Sequence, residues 1–116
     1  MKIRSALFIV SIILVQAGIA QTGSPLLPAE TLSNKIADKM KDTLGLTQQQ
    51  RNQVFAINMQ LHQQKQAARQ QYTNRDALQA AVQQIERARD SLYQAVLPNE
   101  KYLLYRQKKR TLISAD

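Results

Sequence analysis

Leu46-Thr47-Gln48-Gln49-Gln50, entered through Leu44-Gly45, is the stretch on which the reading of the fold turns. The Thr47 hydroxyl can accept a backbone N–H from the turn it opens, and Gln50, three residues on, can reach back to the Thr47 N–H, which is a capping box. Gly45 tolerates the left-handed conformation that closes a helix, and the residue after it commonly packs back on the last turn. Leu46 is that residue, with Met40 as its natural contact. The usual hydrophobic staple needs an apolar residue at position 51, where Arg51 stands, so Leu46 belongs to the helix that ends and not to the one that starts. A degenerate echo, Leu97-Pro98-Asn99-Glu100-Lys101, follows later. There Pro98 cannot continue a helical ladder and biases Leu97 away from helix.

The patterns on either side of these two marks are helical. Leu32, Ile36, Met40 and Leu44 recur every four residues and predict a first amphipathic helix from about Glu30. Beyond Thr47, a second runs to about Tyr72 with Val54, Ile57, Leu61, Ala68 and Tyr72 along a narrow seam interrupted at Gln64 and Lys65. Thr73-Asn74-Arg75-Asp76 is a turn signal, with Asp76 and Gln79 as the expected cap of the next helix. That third helix places Leu78, Val82, Ile85, Arg89, Leu92 and Val96 at steps of four and three, the spacing of an antiparallel partner. The short connection puts the two side by side. A last short helix starts near Asn99, which replaces the missing cap hydroxyl, and carries Tyr102, Leu103, Leu104 and Tyr105. The class is all-α: four helices, the middle two a long antiparallel hairpin.

The chain begins with Met1-Lys2-Ile3-Arg4, an apolar run from Ala6 to Val15 broken only by Ser11, and the small residues Gly18 and Ala20. These are the parts of a secretory signal over residues 1–20, and the apolar run is shorter than the roughly 20 residues that cross a bilayer. Residues 21–29, with Gly23, Ser24, Pro25 and Pro28, read as a linker, residues 30–112 as the helical domain, and 113–116 as a frayed tail. The chain has no cysteine, which excludes a lipid attachment site and a disulfide framework. Taking Lys2 and Arg4 from the 16 basic residues leaves 14 against 8 acidic ones, so the exported part stays basic at +6. In an exported protein that charge points to anionic membrane surface, lipopolysaccharide or acidic polypeptide, and not to nucleic acid.

The Leu-Thr-x-x-Gln start of a long helix, the polar turn, the returning helix and the second degenerate motif followed by Tyr102 and Tyr105 together resemble the Spy/CpxP family of periplasmic proteins, whose members carry this motif twice. The resemblance runs from about Leu32 to Lys109. Its first motif is Leu46, Thr47 and Gln50; the second is Leu97, with Pro98 in place of threonine and Lys101 in place of glutamine. It implies a cradle-shaped homodimer built on the hairpin, with a basic concave face, acting as an ATP-independent periplasmic chaperone that binds unfolded or partly folded envelope proteins. The alternative is a regulatory accessory on the periplasmic domain of a stress- or metal-responsive sensor kinase.

Candidate binding residues follow from charge and apolar character. Arg51, Lys65, Arg69, Arg87 and Arg89 would draw a client, and Phe55 and Met59 would hold it, since adaptable methionine among scattered apolar groups suits weak binding of unfolded chains. The competing reading packs Phe55 and Met59 under the first helix or into a dimer contact. His62, one turn from Met59 and the single histidine, lacks the three or four ligands of a zinc site, and no cofactor or metal is expected. Nor is an enzyme: a lone histidine among glutamines offers no nucleophile, base and orienting group, and Glu86 with Asp90 reads as ion-paired surface. Lys108-Lys109-Arg110 suggests at most weak contact with anionic lipid.

Overall fold

The structure is a computed structural model and describes residues 28–114; the expected export signal and nearly all of the expected linker lie outside the described residues. Four helices make up this part of the chain: α1 Pro28–Leu44, α2 Gln48–Gln71, α3 Arg75–Val96 and α4 Asn99–Leu112. The described residues contain no strand, and none of their helices is long and apolar enough to cross a membrane.

Each joint has a local cause. Gly45 takes φ +69°, and the N–H groups of Gly45 and Leu46 both donate to the Lys41 carbonyl at 2.9 and 3.1 Å, closing the last turn of α1. Two residues later Thr47 Oγ1 accepts from the Gln50 N–H at 3.1 Å while the Thr47 N–H donates to Gln50 Oε1 at 2.9 Å, opening α2. Leu46 between them is buried in the core. α1 starts at Pro28, ahead of the expected Glu30, because a proline at the first helical position loses no hydrogen bond and has its φ already set. α3 is capped by Asn74, whose side chain accepts from the Ala77 N–H at 3.0 Å, and not by Asp76, which lies in the first turn beside the helix dipole. α4 has Pro98 at its cap position without a side-chain hydrogen bond, so Asn99 is its first residue and not its cap. Ile113, expected to fray, packs half-buried against the core.

Helices α1, α2 and α3 stack in that order, and α4 lies along α1 and meets α3 more sparingly. The pairings Asn58–Ser33 and Arg51–Asp38 run α1 antiparallel to α2, and Lys65–Glu86 and Asn58–Arg89 do the same for α2 and α3. Ile36, Met40, Leu44, Val54, Leu61, Tyr93, Tyr105 and Leu112 form the base of the molecule, all at most 4 % exposed. Pro28 and Ala29 lie beside Met59 and Gln66, where α1 begins. Past that point α2 and α3 continue as a two-helix tip. Between Gln66 and Ala88 Ala68 is the one buried residue.

A Cβ at Gly45 would sit 3.3 Å from Lys101 Nζ, the mobile end of a long side chain, so the backbone conformation and not space resists substitution there. Gly45→Ala is expected to lower unfolding free energy by about 1–2 kcal/mol, with Gly45→Asn milder, in urea titrations followed by circular dichroism. Thr47→Ala is expected to cost about 1 kcal/mol in the same measurement.

Candidate functional site

A polar cluster sits inside the base, where α2 and α3 would otherwise meet through apolar side chains. Arg89 occupies a seam position between Ile85 and Leu92 and is only 6 % exposed. Its Nη1 donates to Asn58 Oδ1 at 3.0 Å and to the Tyr93 hydroxyl at 2.8 Å, and its Nε and Nη2 both reach the Glu86 carboxylate. The Tyr93 hydroxyl in turn donates to Asn58 Oδ1. Asn58 turns its amide to the Ser33 carbonyl of α1 at 3.1 Å. Three helices therefore share one hydrogen-bonded cluster. Lys65 from α2 closes it, with Nζ 2.5 Å from Glu86 Oε1.

A second set fastens α4. The Tyr93 and Tyr105 rings meet edge to face at 4.9 Å and 81°. Tyr105 donates its hydroxyl to Asp90 Oδ1 at 2.8 Å, and Lys109 reaches the same carboxylate at 3.0 Å, with Arg106 farther off at 3.9 Å. Glu86 and Asp90, four apart on α3, thus each hold a pair of cations: Glu86 holds Lys65 and Arg89 of the hairpin, and Asp90 holds Arg106 and Lys109 of α4.

The electrostatics follow from this geometry. Burial raises the Glu86 carboxyl, but hydrogen bonds and charge from Arg89 and Lys65 outweigh it and hold the group below its ordinary 4.5. Burial likewise raises Asp90, and Lys109, Tyr105 and Arg106 bring it below its ordinary 3.8. Burial pushes the Tyr93 hydroxyl up to about 12 despite the neighbouring Arg89 charge. Burial and the Asp90 carboxylate push Tyr105 up as well. Both phenols are therefore neutral hydrogen-bond donors at physiological pH.

A cleft of about 220 Å³ opens beside the cluster. Leu32, Ile36 and Ile113 line it with apolar groups, and His62, Lys65, Arg89 and Lys109 line it with basic ones, with Glu86 among them. Among the described residues no group of three or more His, Cys, Asp or Glu side chains is placed to hold a metal.

The expected binding residues separate into three sets. Arg89 is corrected from a surface cation to a buried structural one, and Tyr93 beside it is fully buried. Arg51 and Lys65 are engaged within the molecule: Arg51 donates to Asp38 at 2.9 Å and Asn34 at 2.7 Å and lies 5.6 Å over the Phe55 ring, while Lys65 holds Glu86. Arg69 and Arg87 are exposed and donate to the neighbouring glutamines Gln66 and Gln84. Phe55 is half-buried against the core, and Met59 lines a shallow apolar groove with Pro28, Ala29 and His62. The motif residues Leu46 and Leu97 are buried, and Lys101 is half-buried near Gly45.

Sequence reasoning did not single out Leu78 and Val82 as binding residues. Both are half-buried, yet neither joins the core, and with Arg75, Gln79 and Gln83 they line an open groove on the tip. Tyr72, 37 % exposed, stands at the turn. The signal was present: the apolar series of α3, broken at Arg89, runs through Leu78 and Val82, while α2 has Gln64 and Lys65 where apolar partners would be needed. Comparison with family models, curated proteins and solved structures finds no match to the chain.

Removing one partner from a buried ion pair strands the other. Arg89→Ala is expected to cost about 3 kcal/mol or more, and Glu86→Gln about 1–2 kcal/mol because that carboxylate is a third exposed. Since Glu86 and Asp90 lie below their ordinary values when folded, the stability they add is fully present above those values and is lost as pH falls through the folded ones. Denaturation midpoints are expected to hold from pH 7 to about 5 and to drop below about 4, with the drop reduced in Glu86→Gln.

Proposed function

We propose that this protein is an exported, ATP-independent holdase of the Spy/CpxP kind, binding unfolded or partly folded envelope proteins in the periplasm as a homodimer. The observation that carries the reading is the tip groove, where Leu78 and Val82 keep apolar surface outside the core at the end of an otherwise polar hairpin. Arg69 and Arg75 are exposed at that end, with Asp76 as the nearby acid. An acidic unfolded segment would be attracted by the excess charge and then held weakly on shallow apolar surface, with Met59 and the edge of Phe55 extending it towards the base. The groove's shallowness favours many partners over one. Hydrophobic contact at a half-exposed site adds little affinity, which suits a client that must be released without ATP.

An alternative reading, regulation of a sensor domain, is favoured by Leu103, which is 53 % exposed on α4 with the exposed Arg106 and Arg110 on the same helix. An isolated apolar anchor in a basic setting suits one folded acidic partner.

Equimolar protein is expected to delay aggregation of an unfolded model substrate at low salt without ATP, and less so at high salt as charge attraction is screened. The double variant Leu78→Glu, Val82→Glu should lose most of the delay while keeping its helical dichroism. An absent delay at low salt would overturn the holdase reading. Capture from envelope extract of one dominant stoichiometric partner, lost in Leu103→Glu, would favour the regulatory one.

A further inference from the structure

We propose that the cleft beside Arg89 is a binding site for a small amphipathic monocarboxylate, an aliphatic acid of about four to six carbons. The proposal is independent of the holdase reading, which concerns the tip. The cleft lies at the base, on the α1 side of the hairpin.

Three observations carry it. First, Arg89 lines the cleft although it is 94 % buried, since only 6 % of it is exposed. A guanidinium has five N–H donors. Nε and Nη1 use three of them, on Glu86, Asn58 and Tyr93, and one Nη2 N–H reaches Glu86. The remaining Nη2 N–H has no hydrogen-bond acceptor among the described residues, which leaves a donor for a ligand. Second, the charges around the cleft do not cancel. Lys65, Arg89 and Lys109 face the single carboxylate Glu86, and even counting Asp90, which holds Lys109 from outside the lining, one positive charge is left. His62, half-buried on the same wall, has no hydrogen bond to another described residue and can donate to an anion as well. One added carboxylate balances that excess, and a dianion exceeds it.

Third, part of the lining is apolar. Leu32, Ile36 and Ile113 would be left against water by an inorganic anion and are covered by a short aliphatic chain. About 220 Å³ corresponds to roughly seven water molecules at liquid density, which fits a carboxylate on a stem of that length and excludes a long fatty acid lying wholly inside. The carboxylate would take charge-assisted hydrogen bonds from Arg89, Lys65 and Lys109 on the cleft side, apart from the Glu86 Oε1 that Lys65 and Arg89 Nη2 already share. The stem would point to Ile36 and Ile113. Because α1, α2, α3 and the end of α4 all contribute, a bound acid would fasten the base without touching the tip.

The test is a titration of the 15N-labelled protein with hexanoate, hexanol, hexylammonium and inorganic phosphate in separate series, read by amide shifts. Hexanoate is expected to move Ser33, Asn58, His62, Lys65, Arg89 and Ile113 saturably, and the other three probes are not. Lys65→Met should weaken hexanoate roughly tenfold, the loss of one charge-assisted contact. His62→Glu, which disturbs no ion pair of the fold, should abolish binding by adding a like charge. Circular dichroism verifies that both variants are folded. The site is disproved by absence of saturable shifts up to about 50 mM hexanoate. It is equally disproved by hexanol moving the same amides as strongly, or by unchanged affinity in both variants. Phosphate binding as tightly at the same residues would show a site reading charge alone and would overturn the amphipathic assignment.

Discussion

Arg89 is the constraint to which the rest of the base is fitted. A guanidinium placed in a helix seam must bring its partners with it, since its burial is tolerable only when its charge is paired and most of its donors are satisfied. Glu86 one turn away supplies the charge, Asn58 across the interface supplies a carbonyl, and Tyr93 one turn on supplies a hydroxyl. These requirements fix the register of α2 against α3 more narrowly than apolar contact would, because a slip of one residue would take Asn58 away from Arg89 and Tyr93 and Lys65 away from Glu86. The Asn58 amide then extends the same register to the Ser33 carbonyl of α1. The tyrosine carries it to α4 through the edge contact with Tyr105.

A base fixed in this way leaves the far half of the hairpin to itself. α1 begins beside Met59 and Gln66, and α4 ends against α1, so neither covers the tip. There the only seam is between α2 and α3, and α2 contributes mostly glutamine and alanine to it. The apolar stripe of α3 accordingly remains partly exposed at Leu78 and Val82. The same chain thus has a specific, polar-pinned half and an unspecific, weakly covered half. The proposed holdase activity would use such a division, because a binding surface that packed well against its own chain would have nothing to offer a client.

Much of the fold was legible in the sequence, and the reasons differ by element. The α1–α2 joint was readable because Gly45, Thr47 and Gln50 act through backbone geometry and reach no farther than four residues. Helix ends with competing local signals were less so: Asn74 and Asp76 both suit a cap, and the one whose side chain meets the Ala77 N–H is decided by where the turn is pulled by packing. The binding residues were legible least. Arg89 stood in the apolar series between Ile85 and Leu92, a position that argues for burial, yet charge alone grouped it with the surface cations Arg69 and Arg87. Arg51 and Lys65 have surface-like sequence contexts, and their partners Asp38 and Glu86 are brought to them only by helix pairing. Where a side chain's role depends on another helix, spacing within its own helix does not reveal it.

Native-state hydrogen exchange in low concentrations of urea tests this division most directly. The account predicts that amides around Asn58, Arg89 and Tyr93 exchange only through global unfolding, while those from Ala68 to Val82 open at clearly lower free energy and with a smaller urea dependence. Equal protection of tip and base, or a base that opens before the tip, would contradict it.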